Sequence, residues 1–259
     1  MTNLPQRPAL RSLTPARIAL GRIGSSLPLA EVLALQSAHA LARDAVHLPL
    51  DPAPLVGWLD ARGTPLVMAN SAAASREIYL RRPDLGRRLD ADSRERLTQG
   101  AGDVPDLVIV VADGLSAAAV HKQALAFLEA FLPLVERIGW RASPLVIARQ
   151  ARVALGDDVA NELGARAVLV LIGERPGLSS PDSLGAYLTL NSAGAKTDAD
   201  RNCVSNIRPE GLAPAAAAGK VARLLSAAFQ KGLTGVDLKD EEEPLLLPAT
   251  TGDLKQPLR

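Results

Sequence analysis

The sequence predicts an α/β fold: a Rossmann-like, mostly parallel sheet preceded by a small, mainly helical N-terminal domain. Three observations carry this. The apolar runs Asp106-Leu-Val-Ile-Val-Val-Ala112, Pro144-Leu-Val-Ile-Ala148 and Ala167-Val-Leu-Val-Leu-Ile172 read as strands buried on both faces. Helical patterns separate them, and such alternation argues for a parallel sheet. The third run then empties into a long polar stretch, Gly173 to Pro209, punctuated by Gly and Pro. Open α/β sheets place their ligands at such strand exits.

The elements follow in order. Residues 1–13 read as a poorly ordered lead-in. Thr14-Pro15 is a good helix start, with a hydroxyl N-cap and proline at the first helical position, and the helix stops at Gly21–Ser26. From Ser26-Leu-Pro28 onward, Val32, Leu35, His39, Ala42 and Val46 recur at helical spacing as far as Pro49. Residues 54–60, 74–82 and 90–97 read as short helices. Pro65-Leu-Val-Met-Ala69 is a candidate short strand. Residues 1 to about 100 form the helical domain on this reading.

Residues 101–236 form the sheet domain. Asp113-Gly-Leu-Ser116 is the exit turn of the first buried strand, and Ala117–Ile138 is a long amphipathic helix. Asp157–Leu163 is a short helix between the second and third strands. Tyr187-Leu-Thr-Leu190 and Cys203–Ile207 are further short strands, and Pro214–Lys231 is a helix ended by Gly232. Residues 237–259, with the charge run Lys239-Asp-Glu-Glu-Glu243, read as a flexible tail.

Composition excludes several function classes. Net charge is +1, so neither a nucleic-acid nor an acidic-partner footprint is visible. One cysteine cannot form an internal disulfide, which fits a reducing, cytoplasmic compartment. No apolar run reaches the roughly 20 residues of a membrane span. The first residues carry no apolar signal-peptide region.

The candidate chemistry is sparse. The three histidines are His39, His47 and His121. On one helix His39 and His47 would stand about 12 Å apart along the axis, too far to share a metal. Neither His-Glu-x-x-His nor Cys-x-x-Cys occurs, and no glycine-rich phosphate loop follows a strand. Ser116 either caps the long helix or turns that helix's amides toward a ligand. Ser116 and His121 diverge on one helix and Gly-x-Ser-x-Gly is missing, so a stand-alone hydrolase is unsupported. Asp198, Asp200 and Arg201 read as a loop held by Arg–Asp pairing, since two carboxylates are too few for a cation site. Glu174 either accepts hydrogen bonds from a ligand at the sheet edge or pairs with Arg175 or Arg201. Cys203, by chemistry alone, reads as a small buried hydrophobe.

A resemblance adds to these readings. Leu13-Thr-Pro-Ala-Arg-Ile-Ala-Leu-Gly-Arg22, Ala40-Leu-Ala-Arg-Asp-Ala-Val-His47, Ala112-Asp-Gly-Leu-Ser116, Ile172-Gly-Glu-Arg-Pro-Gly177 and Asp198-Ala-Asp-Arg-Asn-Cys-Val-Ser-Asn-Ile207 together resemble the small subunit of ethanolamine ammonia-lyase. The segments span residues 13 to about 236. The resemblance implies a large TIM-barrel partner that holds ethanolamine, with adenosylcobalamin lying between the two subunits. It implies radical conversion of ethanolamine to acetaldehyde and ammonia, in which the cofactor carries the hard chemistry. By motif, the cofactor-contacting positions it implies are Val153 in Ala151-Arg-Val-Ala154, Glu174 in Gly-Glu-Arg-Pro-Gly, and Cys203 in Arg-Asn-Cys-Val-Ser-Asn. No catalytic residue and no metal ligand is implied in this chain. The Asp-x-His-x-x-Gly motif of base-off cobalamin proteins is absent, in agreement with the base-on binding that the resemblance implies. Some relatives carry an amphipathic extension addressing a bacterial microcompartment, and none is evident here. The rival reading is a non-catalytic assembly or scaffold module, which has no need of a carboxylate at Glu174.

Overall fold

The computed structural model describes residues 14, 16–99, 104–191 and 196–240. The expected lead-in over residues 1–13 lies outside them, as does residue 241 onward of the expected tail. The described start of that tail, residues 237–240, is a correction: Leu238 is buried in the core, its O accepts from Asn202 Nδ2 at 3.1 Å, and Asp240 pairs with Lys220 at 2.6 Å. In chain order the elements are α1 (Leu29–His47), α2 (Ala53–Asp60), β1 (Leu66–Asn70), α3 (Arg76–Arg81) and α4 (Ala91–Gln99). There follow β2 (Leu107–Ala112), α5 (Ala117–Ile138), β3 (Ala142–Arg149), α6 (Leu155–Leu163) and β4 (Ala167–Gly173). The order closes with β5 (Leu184–Leu190), β6 (Asn202–Ile207) and α7 (Pro214–Lys231).

The six strands form one sheet in the order β1-β3-β2-β4-β5-β6. The first four are parallel, and β5 and β6 extend the sheet antiparallel. The expected α/β class therefore holds, with a mixed sheet. The strand expected over Pro65–Ala69 is β1, and it pairs with β3 at the sheet edge.

Alternation along the strands sets the two cores. Leu107, Ile109 and Val111 of β2 face α5 and α7, where Phe127, Phe131, Val221 and Leu225 are buried. Val108 and Val110 face the other way, toward Leu97 of α4 and Leu155 and Val159 of α6. Both faces of β2 are dry, and this is why it is an uninterrupted apolar run. Each fully buried Phe or Leu side chain adds about 1.5–3 kcal/mol. α5 is long and apolar enough to match a membrane span by length and composition, but Phe127, Leu128, Phe131 and Val135 are spent on the sheet.

Local signals behave as the residues dictate. Ser116 caps α5, its Oγ accepting from Ala119 N at 3.3 Å and donating to Pro181 O at 2.7 Å. Gly139, Gly164 and Gly232 end α5, α6 and α7 in the left-handed conformation. The helix expected from Thr14-Pro15 is a correction: residues 16–22 are not helical. Ala19 sits at φ 51°, outside the right-handed region, and so short a segment lacks the packing that sustains a helix.

One register places the site. Ala112 of β2 is level with Ala148 of β3 on one side and with Ile172 of β4 on the other. Three strand exits therefore emerge side by side. The first and third touch closely. A Cβ on Gly114, which sits at φ 55°, would lie 2.2 Å from Gly173 O. A Cβ on Gly173 would lie 2.0 Å from Ser116 O and 2.6 Å from Asp113 O.

Gly173→Ala is therefore expected to force the β2 and β4 exits apart and to cost at least about 1–3 kcal/mol, the usual penalty of overpacking. Urea denaturation of the variant chain checks this. An unchanged midpoint would mean that the two turns are not in the close approach described.

Candidate functional site

The three exits enclose a cleft of about 200 Å³ at the carboxyl edge of the sheet. Gly114 and Leu115 come from the β2 exit, Arg152 and Val153 from the β3 exit, and Ile172, Gly173 and Glu174 from β4 and its exit. Tyr79 of α3 and Tyr187 of β5 complete the lining.

The β3 exit is fixed by a buried acid. Asp113 accepts from Gln150 N at 2.9 Å and from Ala151 N at 3.0 Å. Burial is the largest influence and pushes its carboxyl above the ordinary range, against the pull of those amides and of Arg76. Arg76 donates to Val46 O at 2.7 Å and Gly114 O at 2.8 Å, and reaches Asp113 at 3.5 Å. Its position ties α3 to the β2 turn.

Tyr79 stands at the centre of a second cluster. It is fully buried, and its hydroxyl donates to Ala151 O at 3.1 Å. Burial raises its pKa strongly. The guanidinium of Arg152 stacks over the ring at 4.5 Å and that of Arg76 at 4.8 Å. Gly86 makes room, since a Cβ there would meet the Tyr79 ring at 2.8 Å and Arg152 Cγ at 3.0 Å. Arg152 forms no ion pair among the described residues, and its buried Nε has no hydrogen-bond partner. A buried donor left unpaired costs about 1–3 kcal/mol.

Glu174 sits on the other side of the β2 turn. Its Oε2 accepts from Ser183 Oγ at 2.5 Å and from Asn206 N at 3.2 Å. Its backbone N donates to Ser183 O at 3.0 Å. The carboxylate lies over Gly185, where a Cβ would come within 3.0 Å of Oε1. Of the two readings left open by the sequence, the ion pair is not formed: no arginine pairs with Glu174 among the described residues. Arg201 is buried and bound through two nitrogens to Asp157, both at 2.7 Å. The Asp198–Asp200–Arg201 patch is thus structural, as its composition suggested, although the main partner comes from α6. Asp200 instead accepts from Thr197 N and Oγ1, each at 2.7 Å.

Val153 and Glu174 therefore share one cleft. Cys203 does not line it. It pairs with Tyr187 across the antiparallel β5–β6 ladder, which sets the thiol beside the phenol. The expectation that Cys203 is a buried hydrophobe is corrected: it is exposed. Val204 and Ile207 of β6 take the buried face, which leaves Cys203 on the opposite one. His121 is occupied, its Nε2 accepting from Asp51 N at 2.9 Å. Among the described residues no group of three or more His, Cys, Asp or Glu side chains converges as a metal site. Sequence reasoning missed Arg152, Tyr79, Tyr187 and the anchoring role of Asp113. One signal was present: the chain has two tyrosines, and both line this cleft.

Although Cys203 is exposed as a residue, dehydration around the sulfur pushes its thiol pKa up. The Tyr187 hydroxyl pulls it down and the Glu174 charge adds to the rise. The thiolate is the reactive form. Alkylation by iodoacetamide at neutral pH should therefore be slower than that of an unperturbed cysteine peptide, and should catch up only as pH rises above the ordinary thiol range. Faster reaction than the peptide at pH 7 would contradict the assigned surroundings of the sulfur.

Comparison with known proteins bears on all of these residues. The family model described as ethanolamine ammonia-lyase light chain matches residues 6–239. The ethanolamine ammonia-lyase small subunit of Xanthomonas campestris pv. campestris is 55% identical over 251 residues, covering 96% of this chain and 92% of that protein. The small subunit of Ralstonia nicotianae is 53% identical over 244 residues, covering 93% and 90%. That of Azotobacter vinelandii is 54% identical over 237 residues, covering 90% and 88%. The matched residues include every strand of the sheet and all three exits of the cleft, and the chain belongs to the ethanolamine ammonia-lyase light chain family, the small subunits of that lyase.

Proposed function

We propose that this chain helps hold adenosylcobalamin at the boundary with a large, TIM-barrel subunit, for the radical deamination of ethanolamine to acetaldehyde and ammonia. The observation that carries this reading is convergence. Val153, singled out by motif, and Glu174, singled out by motif and by its place after a buried strand, are distant in sequence yet line one cleft, and Cys203 stands beside its Tyr187 wall.

The residues fit such a group. The cleft offers an apolar surface at Val153 and Ile172, and a half-buried carboxylate whose Oε1 accepts no hydrogen bond among the described residues. It also presents an arginine whose buried Nε is unpaired. At about 200 Å³ it is smaller than the roughly 300–1,000 Å³ sites that enclose a drug-sized ligand. A corrinoid could be gripped here only at its periphery, with the rest covered by a partner. The chemistry the bound group supplies is homolysis of its cobalt–carbon bond.

This chain's own residues bind and orient. Glu174 is placed to accept from corrin carboxamides or nucleotide hydroxyls, held in its rotamer by Ser183 and the Asn206 amide. Val153 supplies apolar contact on a loop fixed by Asp113. Cys203 offers a small, soft surface that admits close approach. Hydrogen abstraction and ammonia loss are assigned to the partner's side, where the resemblance places ethanolamine. An exposed apolar strip on the N-terminal region supports a large partner. Ile23, Leu29, Leu33 and Leu41 face solvent, and α1 buries only Ala38 and Ala45.

The isolated chain is expected to produce no acetaldehyde from ethanolamine, and addition of the large subunit with adenosylcobalamin should restore production. Turnover by the purified single chain would sink the division of labour. Glu174→Gln, in the assembled complex, should weaken cofactor affinity by about tenfold or more, because a hydrogen bond to a charged group is worth about 1.5–3 kcal/mol. The ethanolamine KM should change less. If cofactor titration is unaltered, Glu174 serves only to pin Ser183 and β6.

A further inference from the structure

We propose that Arg152 is the residue that receives the phosphodiester of the cofactor's nucleotide tail; this rests on the cobalamin reading above and deepens it. The cleft contains one arginine whose charge is not used. Arg76, its neighbour on the Tyr79 ring, also has a buried nitrogen without a partner, but its charge is met by Asp113 at 3.5 Å and it donates to Val46 O and Gly114 O. Arg201 is spent on Asp157. Arg152 has no ion pair among the described residues, and its Nε is buried without a partner. The side chain is nevertheless held in place. Its ring partner Tyr79 is fully buried, Gly86 leaves room for the stack, and its own backbone N donates to Gly86 O at 2.8 Å.

A positioned guanidinium with free donors and no internal counter-ion is suited to a phosphate, which it meets through paired N–H groups. The rim of a cobalamin is otherwise made of neutral carboxamides, and its single phosphodiester is the anionic group. The two sides of the cleft divide accordingly. Glu174, an acceptor, faces amide and hydroxyl donors on the β4 side. Arg152, a donor, faces the anion on the β3 side. The β2 turn at Gly114 and Leu115 lies between them. An arginine whose job was only to pack on Tyr79 would not require an open cleft beside it.

The test compares two ligands in the assembled complex by absorbance titration, which reads binding independently of turnover. One is cobalamin, and the other is the same corrinoid lacking the nucleotide tail. Arg152→Met should weaken cobalamin binding by about tenfold or more and leave the tail-less corrinoid unchanged. Arg152→Lys, which keeps a cation, should recover part of the loss. Equal losses for both ligands, or none for either, would overturn the assignment. Should the Met variant fail to assemble, the wild-type complex decides. Its affinity for cobalamin must fall more steeply with added salt than its affinity for the tail-less corrinoid, and equal slopes overturn the assignment. The two layers of the reading separate cleanly. If Glu174→Gln weakens cobalamin binding and Arg152→Met does not, only the phosphate contact is wrong. If neither variant moves it, the cofactor reading of this cleft falls.

Discussion

The site depends on a carboxylate that the fold has dehydrated. Asp113 leaves β2 into a turn where almost no water reaches it, and burial there disfavours its charge. What offsets that cost is geometry. Gln150 N and Ala151 N point at the carboxylate because β3 ends level with β2. Gln150 itself stands at φ 55°, a left-handed conformation costing a residue with a side chain roughly 1–2 kcal/mol. The hydrogen bond to Asp113 holds it there. The strain and the dehydrated acid thus sustain one another. Their product is a β3 exit bent so that Ala151 O receives the Tyr79 hydroxyl and Arg152 and Val153 turn into the cleft.

Legibility of the fold followed the physics of burial. β2 and β4 were readable because both faces are dry, so every position is apolar. β5 and β6 were read as strands, but their antiparallel direction was not evident. For β5 that direction comes from the return of the chain through Glu174–Ser183, and for β6 from a second return after Leu190, and local pattern encodes neither. In β6 a register shift between Val204 and Ile207, where Asn206 stands at φ 57°, brings both to the core while Cys203 and Ser205 face out, so a cysteine that resembled a small core residue lies outside. The start after Thr14 misled because hydroxyl-proline signals mark where a helix can begin, and packing decides whether it persists.

Legibility of the site was narrower. Glu174 was visible because it follows a buried strand directly, and Val153 and Cys203 were placed by motif. The clusters that give them surroundings were not visible. Tyr79, Gly86, Ala151 and Arg152 meet only in three dimensions, and Gly86 gives no sign in sequence that it makes room for a ring and a guanidinium. Asp113 was read as part of a turn, and nothing local reveals that its acceptors are committed to the β3 exit. Arg201 and Asp157 show the same limit. The expected pairing within the loop is present, Arg201 meeting Asp198 at 3.8 Å, but the closer and buried partner lies on α6.

On the cobalamin reading, the openness of the cleft has a thermodynamic consequence. A concavity of about 200 Å³ cannot alone bury a large cofactor, so its grip at Glu174 and Arg152 is incomplete until a second surface covers the rest. A ligand that bridges two proteins binds the assembled state better than either part, and linkage then requires that it strengthen the assembly by the same factor. On the same reading, burying the exposed leucines of α1 against the partner would add a second driving force that is independent of the ligand, because it would release apolar surface from water. On this reading two different kinds of surface would be at work in this chain. The apolar strip would contribute to association whether or not cofactor is present, and the charged cleft only when the cofactor's donors and its anion arrive together, so that it selects for the correct ligand.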